Sequence, residues 1–410
     1  MKLKKSSIAI WLFFFFETEG FGLIQLTKFG IYRTDFINIG LIALSFCLIF
    51  IYGWKLTSDD IYKKWVIAGL VIHIVTIIYS CLIYSQGLID VLKVSLFYFV
   101  PLLYFPLVRI FNKYIKNVDD IFRYIVFVAL IISILGLLQR ILYSRGIVFI
   151  DTVFQGSTRY GAIRFTLAES TVAISLLYLI SKALKNKLHN NIRFILIISI
   201  EILYFILVLK TRSDWMCIII SVLGAVALSY KNNLRKLAVI ALVVIAVFYI
   251  YSNGIVGDFI SELTSDYGVQ ARQVSYGYYW NQFLKKPFLG MGYINGSVSQ
   301  DLSLLLNGQT GHAYRNDVGF LGLLNELGIV GGLWYVVLVI KVIKNSYQLN
   351  IQNSSIDLWS TMFSIYLIST SVNLLMTNAI RMPMLIFAIA IMDTASIQLK
   401  NQTVRFEQVV

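Results

Sequence analysis

The 410-residue chain is 58% hydrophobic and only 14% charged, with a formal net charge of +14. A soluble domain is about half apolar and about a quarter charged, and a water-solvated core of this size cannot hide so much apolar surface, so lipid must be the solvent for much of the chain. The cations expected at the inner face are accounted for by membrane topology and anionic lipid, so no nucleic-acid partner is implied.

Apolar stretches of spanning length lie at 7–27, 35–54, 65–84, 88–108, 121–142, 162–181, 194–209, 214–230, 236–252, 318–340, 357–377 and 382–399. Because hydrocarbon admits helices but not open sheet edges, they predict an all-α polytopic membrane protein with about twelve transmembrane helices. Glu17 and Glu19 interrupt the first stretch, which reads as a broken helix or as two half-helices facing protein. No short apolar stretch ends in a small-residue cleavage site, so the first segment reads as retained. Cys47, Cys81 and Cys217 fall in apolar runs and offer neither a disulfide framework nor metal-ligand spacing. The chain divides into an N-terminal bundle at 1–252 (about nine spans), a long polar loop at 253–317, C-terminal helices at 318–400 (about three spans) and a tail at 401–410.

Orientation follows the cations. With the N-terminus inside, inner segments hold 21 of the 35 Lys and Arg residues, among them Lys63, Lys64, Lys182, Lys185, Lys341 and Lys344. Both termini are then cytoplasmic and the 253–317 loop lies outside. The topology rule gives no reason for the 13 outer cations. Several are arginines near the membrane boundary, where a planar guanidinium suits phosphate oxygens.

Four outer segments carry the candidate chemistry. The first runs from Gly156 through Arg159 and Arg164 to Glu169-Ser170. Glu169 reads as a carboxylate one turn inside a helix, favoured by the dipole or paired with Arg164, or else orienting or deprotonating a hydroxyl. The second is the tight turn Lys210-Thr211-Arg212-Ser213-Asp214, where Arg212 sits beside helix N-terminal amides or pairs with Asp214. The third is the loop. Residues 270–284 predict an amphipathic helix whose aromatic face (Tyr278, Tyr279, Trp280, Phe283) suits the membrane interface or a sugar ring. Pro287 ends it, and Gly290 and Gly292 permit a sharp turn. Then come His312, able to titrate near neutral pH, and Arg315. Gly328, Gly331 and Gly332 read as packing glycines. The fourth is Arg381, at the last outer turn. His73, in mid-span, reads as an interhelical hydrogen-bonder, and His189 as solvated.

Arg272, Trp280, the Pro287-x-x-Gly290-x-Gly292 turn, His312 and the Glu326-x-Gly328-Ile329-x-Gly331 span entry together resemble the O-antigen ligase and polysaccharide polymerase superfamily. Thr211-Arg212-Ser213 is similar to that family's Ser-Arg turn, and Arg164 to Ser170 looks like a polymerase-type arginine followed by Glu-Ser. The resemblance implies a GT-C-like, metal-independent glycosyltransferase without a cofactor, acting on polyprenyl-diphosphate-linked glycan donor and acceptor on the outer face of the cytoplasmic membrane. It implies Arg212 and Arg272 on the diphosphate, with His312 orienting or deprotonating the acceptor hydroxyl or contacting the leaving phosphate. Glu169 joins them as a catalytic candidate, and Arg159, Arg164, Arg315, Arg381 and Trp280 as substrate-binding ones. A flippase and a chain-length regulator are the implied protein partners, beside membrane lipid. The expected function is a polymerase of repeat units into capsule, exopolysaccharide or O-antigen. A ligase moving finished glycan to a lipid or wall acceptor shares the same features. A flippase or transporter is the alternative of another class, and it would place its charges nearer the midplane.

Overall fold

The computed structural model describes residues 5–24, 26–53, 60–150, 153–159, 162–185, 192–229, 267–309, 311 and 313–407. The chain is mostly helical: α1 (Lys5–Glu17), α2 (Arg33–Tyr52), α3 (Lys63–Tyr84), α4 (Leu88–Ser95) continuing through a 3₁₀ stretch into α5 (Tyr104–Tyr114), α6 (Asp119–Tyr143), α7 (Glu169–Leu184), α8 (Ile192–Tyr204), α9 (Arg212–Ser229), α10 (Tyr267–Lys285), α11 (Gln300–Asn307), α12 (Gly319–Ile351), α13 (Asp357–Thr370) and α14 (Met382–Glu407). One antiparallel hairpin, β1 (Val153–Arg159) and β2 (Ala162–Phe165), interrupts the helices.

Among the described residues, seven helical stretches are long and apolar enough to cross a membrane: Arg33–Tyr52, Lys63–Tyr84, Leu88–Tyr114, Asp119–Tyr143, Ile192–Leu209, Arg315–Ile351 and Met382–Asn401. Their outer faces carry a belt of bare apolar side chains, including Phe50, Leu82, Ile78 and Val71. Water would not tolerate so extended an apolar surface, whereas lipid requires it. The chain thus has the build of a multi-pass membrane protein. α14 is the innermost helix. Ile386 to Asp393 are fully enclosed, which is why its sequence is apolar on every face. Trp65 on α3 and Trp334 on α12 stack with centroids 4.7 Å apart, and each indole N–H donates to the other's backbone carbonyl, at 2.9 and 3.0 Å.

Four expected spans need correction. The 7–27 stretch is helical only to Glu17; the chain then turns, with Glu17 and Glu19 buried. Thr171 donates to Glu17 at 2.7 Å and Arg33 pairs with Glu19, so the break faces protein. The 162–181 stretch opens as strand β2, and its helix begins only at Glu169. The 214–230 stretch forms α9, whose apolar part, Ser213–Leu228, is shorter than a span. The 357–377 stretch ends as helix at Thr370 and becomes an irregular turn through Arg381. The 236–252 stretch lies outside the described residues. At the C-terminus, α14 runs on to Glu407 rather than yielding to a tail at 401.

The two ends of the bundle differ in charge chemistry. At one end lysines close the helices: Lys182 pairs with Asp119 at 2.8 Å, Lys185 pairs with Asp357, and Lys341 donates to the Ile61 carbonyl at 2.8 Å. At the other end Arg33, Arg315 and Arg381 make the more buried ion pairs, beside an exposed Lys93–Asp90 pair.

The arginine end contains a broken helix. Within α12, Gly328 has φ 65° and ψ −162°, a conformation essentially reserved for glycine. The Pro287–Gly292 turn docks into the break. Met291 and Gly292 donate to the carbonyls of Asn325 and Glu326 at 2.7 and 2.9 Å, and Ile329 donates to the Pro287 carbonyl at 2.7 Å. Backbone groups freed by the break are thereby satisfied by the loop. Gly328 is thus a helix-breaking residue as well as a close-packing one. A Cβ there would lie 2.2 Å from the Phe288 carbonyl oxygen, and one on Gly290 would lie 2.6 Å from the Gly328 nitrogen.

Candidate functional site

The irregular turn from Ser371 to Arg381 is the centre of the arginine end. α13 stops at Thr370 and α14 starts at Met382, leaving polar side chains where the flanking helices are apolar. Phe320 N–H, near the start of α12, donates to the Ser371 carbonyl at 2.7 Å. Asn373 donates to Ser213 Oγ at 3.3 Å, fastening the start of α9. Tyr276 of α10 donates its hydroxyl to the Val372 carbonyl at 2.8 Å. At the far end of the turn, Arg381 pairs with Glu169, the first residue of α7.

The helices that carry Arg212 and Arg272 are both fastened to this turn. Arg212 opens α9 and precedes Ser213, which is held to Asn373. Arg272 lies one helical turn before Tyr276, which is held to Val372. Two residues 60 apart in sequence thus lie on helices fastened at adjacent positions of one turn. The Arg272 Nε is buried and has no hydrogen-bond partner among the described residues. The side chains of Arg159, Arg164 and Arg212 lie outside what is described. On the backbone, Arg159 ends β1 opposite Ala162, and Arg164 lies within β2.

His312 itself lies outside the described residues, but the chain around it is tied to α10. The Ala313 N–H donates to the Asn307 carbonyl at 2.9 Å. Tyr279 donates to the carbonyls of Leu306 and Ala313 at 2.7 and 3.1 Å, and the Tyr314 N–H donates to Ser275 Oγ at 3.1 Å. Burial pushes the Tyr279 phenol above its ordinary pKa, so it remains a donor. Ser275 and Tyr279 lie one and two turns beyond Arg272 on α10.

Two candidate arginines are neutralised by buried glutamates. Arg381 is buried against Glu169. Burial works to lower its pKa, but the carboxylates of Glu169 and then Asp214 outweigh it and the net shift is upward. Glu169 is therefore a first-turn carboxylate, but its partner is Arg381 rather than Arg164. Arg315 pairs with Glu326 at 2.5 Å, and Tyr98 donates to the other Glu326 oxygen at 3.0 Å. Replacing one member of a buried pair costs about 3–5 kcal/mol. Arg381→Ala is expected to be the more damaging choice, because it leaves Glu169 and Asp214 facing each other, whereas Glu169→Gln leaves Arg381 near Asp214. Thermal unfolding in detergent checks that order.

Trp280 is about half exposed and stands against Phe283, with centroids 5.6 Å apart. The expected aromatic face of α10 is in fact split. Tyr279 and Phe283 point into the protein, while Val274, Trp280 and Leu284 are exposed. The loop holds His73 as well: its Nδ1 and the Tyr293 hydroxyl are hydrogen-bonded at 2.9 Å, so its partner is the loop rather than another helix.

Sequence reading missed Asp214 as an electrostatic partner of Arg381, and it missed Tyr98, Thr377 and Asn378. The last two stood out only as polar interruptions of the apolar C-terminal third. Together with Phe97, Asn316, Arg315 and Glu326, these three line an open cleft between the 3₁₀ stretch, the start of α12 and the turn. Neither the family models nor the curated proteins compared with this chain give a match.

Proposed function

We propose that this protein is a polysaccharide polymerase that joins polyprenyl-diphosphate-linked oligosaccharide repeat units on the outer face of the cytoplasmic membrane, with about twelve spans and both termini inside. The observation that carries the reading is the tethering of Ser213 and Tyr276, close in sequence to Arg212 and Arg272, to neighbouring residues of one turn, with the Arg272 Nε buried and without a hydrogen-bond partner among the described residues. A guanidinium with an unsatisfied buried N–H is a ready ligand for phosphate oxygens.

In the reaction, the acceptor hydroxyl oxygen bonds to the donor's anomeric carbon. The bond from that carbon to the diphosphate breaks, and the electron pair leaves with polyprenyl diphosphate. Arg212 and Arg272 stabilise the developing negative charge without a metal. His312 orients the hydroxyl, takes its proton or contacts the leaving phosphate. Glu169, engaged by Arg381, holds the start of α7 against the catalytic turn and is not the base.

The test is purified protein given lipid-linked repeat units. Longer lipid-linked products from repeat units alone support polymerisation. Transfer only when a separate lipid or wall acceptor is supplied identifies a ligase, and lipid scrambling without new glycosidic bonds identifies a transporter.

A further inference from the structure

We infer that Trp280, Leu284, Phe288 and Leu289 form a lipid-inserted edge of the loop, which dips into the leaflet at the arginine end of the bundle and sets the depth of Arg272. The lipid contact stands on the geometry alone; the consequence for Arg272 rests on the polymerase reading. One half of α10 faces the protein, where Ser275, Tyr279, Gln282 and Phe283 are enclosed. The other half is exposed and divides by chemistry. At 3.6 residues per turn, Trp280 and Leu284 share one flank, while Asn281 and Lys285 share the other. Trp280 is 48% exposed, Leu284 57%, and Phe288, just beyond the helix, 73%. Large bare apolar groups on one flank and polar groups on the next are what a helix lying in a membrane interface presents.

Exposure alone does not name the occupant; continuity with the spans does. The Ile329 N–H donates to the Pro287 carbonyl at 2.7 Å, and the Val330 N–H to the Phe288 carbonyl at 3.4 Å. Ile329, Val330 and Leu333 are themselves bare, and they belong to a stretch apolar enough to cross a membrane. On the other side, the Lys286 Nζ lies 5.1 Å from the ring centroid of Tyr84, the last residue of α3. Leu82 and Ile83 beside it are bare as well. Phe288 and Leu289 therefore extend the lipid-facing belt of two spans instead of forming an isolated patch. Trp280, Tyr84 and Lys286 are the residue types that gather where such a belt meets water.

The edge bears on the reaction through Arg272, which lies eight residues before Trp280 on the same helix, about 12 Å along its axis. A polyprenyl diphosphate carries its charge where its chain leaves the hydrocarbon. A helix anchored by apolar side chains in the leaflet keeps its guanidinium near that depth. The Trp280 ring is then a lipid contact and not a sugar platform.

The experiment places a nitroxide at single positions of the full-length protein in phosphatidylethanolamine–phosphatidylglycerol vesicles, after Cys47, Cys81 and Cys217 are changed to alanine. Labels on Leu284→Cys and Phe288→Cys are expected to collide more often with oxygen, which concentrates in hydrocarbon, than with a water-soluble nickel chelate. Labels on Asn281→Cys and Lys285→Cys are expected to show the reverse. All four side chains are exposed, so the labels displace no core residue. Preference for the chelate at all four positions puts the flank in water and overturns the inference. Labels at 284 and 288 that neither reagent reaches show that protein covers the flank, and overturn it too. If the cysteine-free protein does not fold, the native-cysteine protein supplies the measurement. The fluorescence lost to lipid brominated on its acyl chains is then expected to be larger in wild type than in Trp280→Phe, and an equal loss overturns the inference. None of these readouts involves polymer growth, so a lipid-inserted edge in a protein that makes no polymer would defeat the polymerase reading alone.

Discussion

Replacing Arg272 or Arg212 with alanine is expected to abolish polymer growth in protein that still inserts and folds. The side chain of Arg272 makes no ion pair among the described residues, and its Nε is buried without a partner. Its removal therefore breaks no ion pair among the described residues. Loss of one preorganised charge-stabilising donor slows chemistry by about 10²–10³-fold, and loss of a full charge facing a diphosphate should be at least as damaging. Lysine is expected to rescue poorly, because an ammonium is a point charge and cannot grip two oxygens in the plane of a guanidinium fork. The check is polymer length in cells that produce the variant at wild-type level in the membrane. Normal length in either alanine variant removes that residue from the diphosphate site.

The second large effect is expected in the backbone. Gly328→Ala forces a side chain into a conformation that costs about 1–3 kcal/mol for any residue but glycine. The new Cβ also meets the Phe288 carbonyl at 2.2 Å, and both contacting strands are backbone, so neither can swing away. With overpacking of about 1–3 kcal/mol added, the total is about 2–6 kcal/mol, a large part of the stability of a typical domain. Gly290→Ala should behave alike, since the two glycines face each other across the same junction. Gly277 is the control. It lies in the exposed face of α10 with no atom within 4 Å of an added Cβ, and Gly277→Ala should stabilise by roughly 0.5–1 kcal/mol. Thermal unfolding in detergent distinguishes the three. A Gly328→Ala protein as stable as wild type would mean that the loop does not dock into a broken α12.

The parts of the fold legible in the sequence were those in which apolar length and backbone state coincide. The stretches that became α2, α3 and α6 were found within a few residues, as was the start of α14, because a helix solvated by lipid or by other helices must be apolar along its whole length. The errors came where apolar side chains sit on backbone that is not helical. Ala162 to Phe165 is hydrophobic enough to read as the start of a span, yet it pairs as a strand with Thr158 and Arg159. Beyond Thr370 the apolar residues Leu375 and Met376 are buried in an irregular turn rather than a helix, and hydrophobicity reports burial, not backbone state.

The candidate site was legible in composition but not in pairing. Of the arginines expected on the outer side, Arg33, Arg315 and Arg381 lie at one end of the bundle, where they make ion pairs. Nothing in the sequence links Arg381 to Glu169, 212 positions away, so that Arg315 and Arg381, which are ion-paired, and Arg272, which has no ion pair among the described residues, looked alike. The glycines of the 287–292 and 328–332 segments were each recognisable as punctuation. Their mutual contact depends on a break inside a helix whose sequence reads as continuous.

The most direct measurement of the central claim is chain growth by the purified protein in liposomes supplied only with lipid-linked repeat units and a metal chelator. The account predicts a ladder of lipid-linked products that lengthens with time in wild type and stops at the single repeat unit in Arg272→Ala. A wild-type sample that yields no product longer than the starting repeat unit, or an Arg272→Ala ladder equal to that of wild type, would contradict it.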